Sequence, residues 1–175
     1  MEVVVRPAGP ADIHAVTAIY GHSVLTGTAS FELQPPDEAE MARRHAAILA
    51  AGYPYLAAER QGAVLGYAYA GPFRPRPGYR HTVEDSVYVA ASAQRQGVGR
   101  ALLAALIAEC EARDFRQMIA VIGDSAHVAS IELHAAQGFR VVGTYATIGH
   151  KFGRWIDSVH MQRALGKGAS AAPTR

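Results

Sequence analysis

The sequence predicts an α/β (α+β) fold, a single mixed sheet flanked by helices on both faces. Two features of the chain order carry this expectation. Strand-like runs at residues 55–59 and 64–70 are separated by Gln61-Gly62 and little else, a hairpin signal. Further on, runs at 82–89 and 118–122 flank an amphipathic helical stretch, the pattern of a strand-helix-strand crossover. Hairpins make antiparallel pairs and crossovers make parallel ones, so the sheet is mixed and not purely doubly wound.

Taken in order, the first run (2–6) is β-branched and stopped by Pro7. Gly9-Pro10-Ala11-Asp12 places proline early and an acid in the first turn, a helix start. Ile13, Val16, Ile19 and Tyr20 supply the stripe that follows. A loop with Gly27, Ser30, Phe31 and Glu32 leads to Pro35-Pro36, after which Asp37 and Glu40 resemble a capping box. The helix they open carries Met41, Ile48 and Leu49 and ends near Gly52. Segment 71–78 contains three prolines, each without a backbone donor, and is expected to be irregular. The most regular helix is 98–113, where Leu103, Leu106, Ile107 and Cys110 fall at i, i+3, i+4 and i+7. A strand at 118–122, a helix at about 128–137, a strand after Gly138-Phe139 and a last strand around 155–161 complete the order. Residues 1–165 are expected to form one domain, and the Gly-, Ala- and Ser-rich stretch 166–175 a disordered tail.

Composition excludes several classes of function. Half of the 175 residues are hydrophobic and 18% are charged, which suits one sizeable core. Seventeen Lys and Arg against fifteen Asp and Glu leave a net charge of +2, too balanced for a general nucleic-acid binder. No apolar run approaches the roughly twenty residues of a membrane span, and the N-terminus lacks the pattern of a signal peptide. The lone Cys110 excludes an intrachain disulfide and fits a reducing, cytoplasmic compartment. On an apolar helical stripe it reads as a core residue and not a nucleophile. Eight histidines include no His-Glu-x-x-His pattern and there is no cysteine cluster, so no metal is expected.

The most informative stretch is Gln94-Arg95-Gln96-Gly97-Val98-Gly99-Arg100, between a strand and the 98–113 helix. Glycines let a ligand approach the backbone, and first-turn amides have no intrahelical acceptors. With the helix dipole and two arginines they make an anion site suited to a pyrophosphate. A dinucleotide fingerprint fails because Leu102 stands where a third glycine is needed, and a P-loop fails for want of Gly-Lys-Ser/Thr. The plain alternative is an ordinary glycine-containing loop at a helix start.

Gln94-x-x-Gly97-x-Gly99 resembles the acyl-CoA turn of the GNAT N-acetyltransferase superfamily. Further blocks match in order: Phe31-Glu32, residues 69–74, 82–89 and 120–123, Leu133-His134, Gly138-Phe139 and 149–155. Together they resemble the phosphinothricin and methionine sulfoximine N-acetyltransferases. That resemblance implies a GNAT-type, mostly antiparallel sheet, acetyl-CoA as cosubstrate and a homodimer. It implies that Val87, Tyr88 and Val89 pair through their backbone with the pantetheine arm, and that amides of Gln94, Arg95, Gln96, Gly97, Val98 and Gly99 hold the pyrophosphate. One departure stands out: His127 occupies the place, three residues before Ser130, where relatives have the asparagine that contacts the pantetheine. Phe73 stands where some relatives have tryptophan.

Acetylating an amine requires that the amine lose a proton, and the leaving thiolate gains from a nearby donor. Glu84, inside an apolar strand, is the candidate base, since desolvation raises a carboxyl's pKa. Asp85 is expected on the opposite face. The alternative for Glu84 is a structural acid paired with an arginine. His134 is a candidate second acid/base group or relay, against a satisfied core histidine; Tyr88 and Tyr145 are weaker proton donors. Arg74 and Arg76 are candidates to bind a substrate carboxylate, against plain exposed loop arginines. Phe31 and Phe73 are candidate apolar walls, and the resemblance places Thr82 beside Glu84 on the substrate side. It also puts Lys151 and Trp155 in a block that completes the pocket or a dimer contact. The expected function is direct, acetyl-CoA-dependent N-acetylation of a small amino-acid analogue. The alternatives are another small amine, a peptide N-terminus, or a non-catalytic acyl-CoA sensor, with no nucleic-acid or membrane partner.

Overall fold

The computed structural model describes residues 2–174. Its strands are β1 (Val4–Pro7), β2 (Tyr55–Arg60), β3 (Ala63–Pro72), β4 (Thr82–Val89), β5 (Gln117–Gly123), β6 (Arg140–Lys151) and β7 (Arg154–Ala164). They form one seven-stranded sheet in the order β1-β2-β3-β4-β5-β7-β6. Every neighbouring pair is antiparallel except β4 and β5. The single parallel pair is the crossover that the sequence predicts. The helices are α1 (Ile13–Thr26), α2 (Glu38–Ala50), α3 (Val98–Ala112) and α4 (Val128–Ala136).

The helices divide between the two faces. α1 and α2 cover a cluster in which Val16, Ile19, Tyr20 and Met41 meet Tyr55, Ala57 and Tyr67 of the sheet. α3 covers the other face, where Leu102, Leu103, Leu106 and Cys110 meet Ala68, Val83, Met118, Ala120 and Met161. Burial of these apolar surfaces, at roughly 25 cal/mol per Å², is the main force holding the layers together. The Gln61-Gly62 turn takes positive φ at both residues (55° and 79°), the left-handed pair that a two-residue hairpin requires. Asp37 caps α2 by accepting from the Glu40 amide at 2.8 Å, but Glu40 turns its own carboxylate to Arg43 and Arg44. Half of the expected capping box is therefore present.

Several boundaries differ from expectation for identifiable reasons. β3 continues through Gly71 and Pro72, which pair with Glu84 and Val83. The Phe73 amide faces Thr82 on β4, so the nitrogen of Pro72 faces the side where β2 has already ended and no ladder bond is lost. Pro77–Tyr79 then form a single helical turn. Leu49 is exposed and not part of the α2 stripe. Residues 166–174, expected to be disordered, run in turns against Arg116, whose guanidinium donates to Ala172 O at 3.0 Å and to Gly168 O and Ala171 O at 3.4 Å. Thr174 is bonded to Asp114 through its amide and hydroxyl. None of the described helices is long and apolar enough to cross a membrane.

Candidate active site

The site originates in a divergence of two strands. β4 has eight residues, but only Thr82 to Asp85 pair with β5, opposite Gln117 to Ala120. Beyond that point β4 keeps β3 as its neighbour and parts from β5, which turns to β7 alone. The gap is a cavity of about 260 Å³. Residues 84–88 line it from β4 and 120–123 from β5, with Ala29, Ser30 and Phe31 on one side and His127, Ser130 and His134 on the other. On the open side of β4, the backbone of Val87, Tyr88 and Val89 has no strand partner among the described residues.

Glu84 and Asp85, adjacent in the chain, differ sharply. Glu84 is half-buried, and its carboxyl is pushed up to about 7 by burial first and by the like charge of Asp85 second. No cation contributes to that shift. Asp85, on the opposite face as alternation predicts, is fully buried and lies 2.9 Å from His134 Nε2. His134 also donates from Nδ1 to Ser130 O at 2.7 Å, so both ring nitrogens are engaged. The structure thus gives His134 the bonds of a satisfied core histidine and also a place on the cavity wall.

The 94–99 turn has the geometry of an anion site. Gly97 is the N-cap of α3 with φ +82°, a conformation that costs glycine little, and Arg95 is also left-handed at φ 57°. Ala101 is the first helix amide to find an acceptor, Gly97 O at 3.0 Å; among the described residues no acceptor meets the amides of 94–100. Gly99 has a different reason: a Cβ there would stand 3.3 Å from Leu133 of α4 and 3.5 Å from Val89. It permits close packing of α3 on α4 and β4. The side chain of Gln96 braces the loop, donating to Ser92 O at 2.8 Å and accepting from Arg60 at 2.9 Å. Arg95 and Arg100 are exposed.

His127 occupies the N-cap of α4 and lines the cavity, with a buried Nδ1 that has no partner among the described residues. Burial lowers its pKa, opposed by Asp124. Phe31 lines the cavity, whereas Phe73, Arg74, Arg76 and Thr82 do not. Arg74 stacks over Phe73 and Tyr79, at 5.2 and 5.9 Å from the ring centroids, and Arg76 is exposed. Thr82 accepts the Phe73 amide at 3.4 Å and lies two residues before Glu84 on the same face. Tyr88 points into the tyrosine cluster, 5.0 Å from Tyr20, and burial holds its hydroxyl well above the ordinary value. Tyr145 is exposed beside His160.

Phe31 is a wall residue as expected, but the contacts that hold its loop in place are not evident from the sequence. Lys151 is buried and donates to Gly27 O at 2.9 Å and Ser30 O at 2.8 Å, pinning the α1–α2 loop. Tyr20 holds Ser30 Oγ at 2.9 Å. The loop passes so close to the sheet that a Cβ at Gly123 would stand 1.9 Å from Thr28 O, and one at Gly149 2.0 Å from Phe31. Tyr69 and Ser130 also line the cavity. The two glycines were the signal available in the sequence, but nothing local tied them to residues 28–31.

Residues 18–139 match the family model for the acetyltransferase (GNAT) family. The chain belongs to the GNAT acetyltransferase family. It is 57% identical over 169 residues to a phosphinothricin N-acetyltransferase of Alcaligenes faecalis, covering 97% of this chain and 86% of that one. It is 41% identical over 172 residues to an L-methionine sulfoximine/L-methionine sulfone acetyltransferase of Pseudomonas paraeruginosa, covering 98% and 99%. Among solved structures, a GNAT superfamily phosphinothricin acetyltransferase from Sinorhizobium meliloti in complex with AcCoA superposes with a TM-score of 0.96. The identity is 49%, over 100% of this chain and 95% of that chain. The mostly antiparallel, open sheet is thus the GNAT fold that the resemblance implies.

Proposed function

We propose that this GNAT protein transfers the acetyl group of acetyl-CoA to the α-amine of a small amino-acid analogue such as phosphinothricin or methionine sulfoximine. The observation that carries the reading is Glu84, a half-buried carboxyl raised to about 7 at the head of the cleft between β4 and β5. A base with that value is half ionised near neutrality, where it can take a proton from an ammonium group. The names and substrates of the relatives supply the amine class.

The residues present fit acetyl-CoA. The unpaired amides of 94–99 and the N-terminus of α3 would hold the pyrophosphate, and the free backbone edge of Val87 and Val89 would take the pantetheine arm. His127, which lines the cavity and has a buried, unpartnered ring nitrogen, would stand in for the asparagine of relatives. Bound there, acetyl-CoA supplies an activated thioester carbonyl. Glu84 removes the amine proton and Phe31 walls the side chain, while Phe73, Thr82, Arg74 and Arg76, outside the cavity lining, would meet only the part of a substrate that reaches beyond it. Transfer is direct, because the lone thiol, Cys110, is buried and pushed up to about 12.

The assembly we propose is a homodimer in a cytoplasmic setting. β6 is an edge strand on which Val141, Val142, Tyr145 and Ile148 are half or more exposed, with Phe152 and Trp155 beside them. Such an edge is normally covered. The deciding experiment is a mass-spectrometric screen of amino acids and analogues for the mass of one added acetyl group, with initial rates. Turnover fastest on phosphinothricin or methionine sulfoximine is the expected result. Tight acetyl-CoA binding with no thiol release from any amine would make the protein a sensor instead.

A further inference from the structure

His134 and Asp85 face each other across the cleft wall with side chains 5% and 2% exposed. Ser130 O is a carbonyl and only accepts, so Nδ1 of His134 carries a hydrogen. Nε2 then either donates to the Asp85 carboxylate as part of an imidazolium or accepts from a protonated acid. The edge of the Phe139 ring, 5.1 Å away at 90°, leaves the imidazole little room to turn.

We propose that Asp85 is a positioning residue for the transfer reaction, holding His134 as a doubly donating imidazolium on the α4 wall so that a fixed positive charge faces the leaving thiolate. This rests on the acetyl-transfer reading above. Among the described residues, the surroundings of the pair provide no other counter-charge on that face. Its titratable neighbours are His127 at the start of α4, which burial drives toward the neutral form, Cys110 on α3, which stays a thiol, and Glu84 on β4. The β5 residues on the face of Asp85 are Met118, Ala120 and Ile122, all apolar. Burial alone opposes a charge on His134, but the bond and charge of Asp85, with Ser130 O, hold it above the ordinary histidine value. A ring bound at both nitrogens cannot deliver a proton without giving up a bond. A fixed cation in a site of low dielectric stabilises a developing anion without moving at all.

Asp85 Oδ1 is buried and has no partner among the described residues. The carboxylate is therefore held for His134, and an uncharged side chain there removes the anionic support for the imidazolium and leaves it the Ser130 carbonyl alone.

The test reads the charge directly. ¹⁵N NMR of the wild-type protein followed from pH 5 to 9 is expected to find both His134 ring nitrogens protonated to higher pH than in an ordinary histidine. In Asp85→Asn one of them loses its hydrogen at lower pH than in the wild type, kcat falls about a hundredfold with acetyl-CoA affinity nearly unchanged, and the alkaline limb of kcat moves to lower pH. A wild-type His134 that becomes singly protonated no later than an ordinary histidine overturns the proposal even where the variant does not fold. A variant that only lowers Tm, with kcat and the alkaline limb intact, overturns it as well by leaving Asp85 a structural role. The nitrogen signals need no substrate, so the two readings fail differently. A neutral ring with normal turnover sinks this role alone; no acetylated product from any amine sinks the functional reading and this role with it.

Discussion

The two faces of β4 treat two neighbouring carboxylates in opposite ways. Toward α3 and α4, Asp85 enters an aliphatic core but meets His134 at 2.9 Å. Toward α1 and α2, Glu84 enters a half-closed space near the tyrosine cluster and meets no cation. Both acids lose water, and Glu84, which has no cationic partner, is driven to about 7, because burial without a partner penalises the charged form. A strand that alternates its side chains can thus place a paired acid and a solitary one side by side, each suited to a different task.

The largest expected effect removes the solitary acid. Glu84→Gln keeps shape and burial but cannot take a proton, so kcat should fall by about 10² to 10⁴ with acetyl-CoA binding intact. In the wild type, kcat/KM should rise with pH through about 7, as the carboxyl of the free protein ionises, and the variant should lose that limb. Steady-state rates from pH 5 to 9 check both. Unchanged rates would end the distinction between the two faces.

A smaller effect tests what half-closes the Glu84 side. Gly123→Ala sets a Cβ 1.9 Å from Thr28 O, so the backbone of the α1–α2 loop must move. Overpacking of this kind costs roughly 1–3 kcal/mol, and Tm should drop by about 2–4 °C for each kcal/mol in a chain of this length. The displaced loop carries Ser30 and Phe31 away from the cavity, so KM for the amine should rise several-fold while acetyl-CoA affinity changes little. Calorimetry and kinetics on the same preparation separate the two. An unchanged KM would detach the loop from substrate binding.

The two faces were also unequally legible. The α3 side was read from local pattern: the i, i+3, i+4, i+7 stripe, the glycine turn at its start and the hairpin at Gln61-Gly62 all act within a few residues. Glu84 was legible too, because an acid in an apolar strand is visible without knowing its neighbours. What pins the Phe31 loop was not, since Lys151 and Ser30 are 121 residues apart and their bond exists only after β6 has joined the sheet. The partner of Asp85 was hidden likewise, since His134 lies 49 positions further along the chain, although alternation gave its face.

The smallest expected effect follows from the same solitary acid and has the opposite sign from its effect on rate. The folded-state value of Glu84 lies above the ordinary carboxyl value, so between the two the folded chain holds a proton that the unfolded chain has lost. Stability contributed by this group is complete below the unfolded value, near 4.5, and is lost as pH rises through about 7. Gln cannot ionise and escapes the loss. Glu84→Gln should therefore melt a degree or more above the wild type at pH 8 and level with it near pH 4, by scanning calorimetry at both values. A stabilised but inactive variant would mark Glu84 as a group retained for chemistry against its cost to the fold. Equal melting at pH 8 would mean that the carboxylate is already compensated, and the contrast with Asp85 would lose its physical basis.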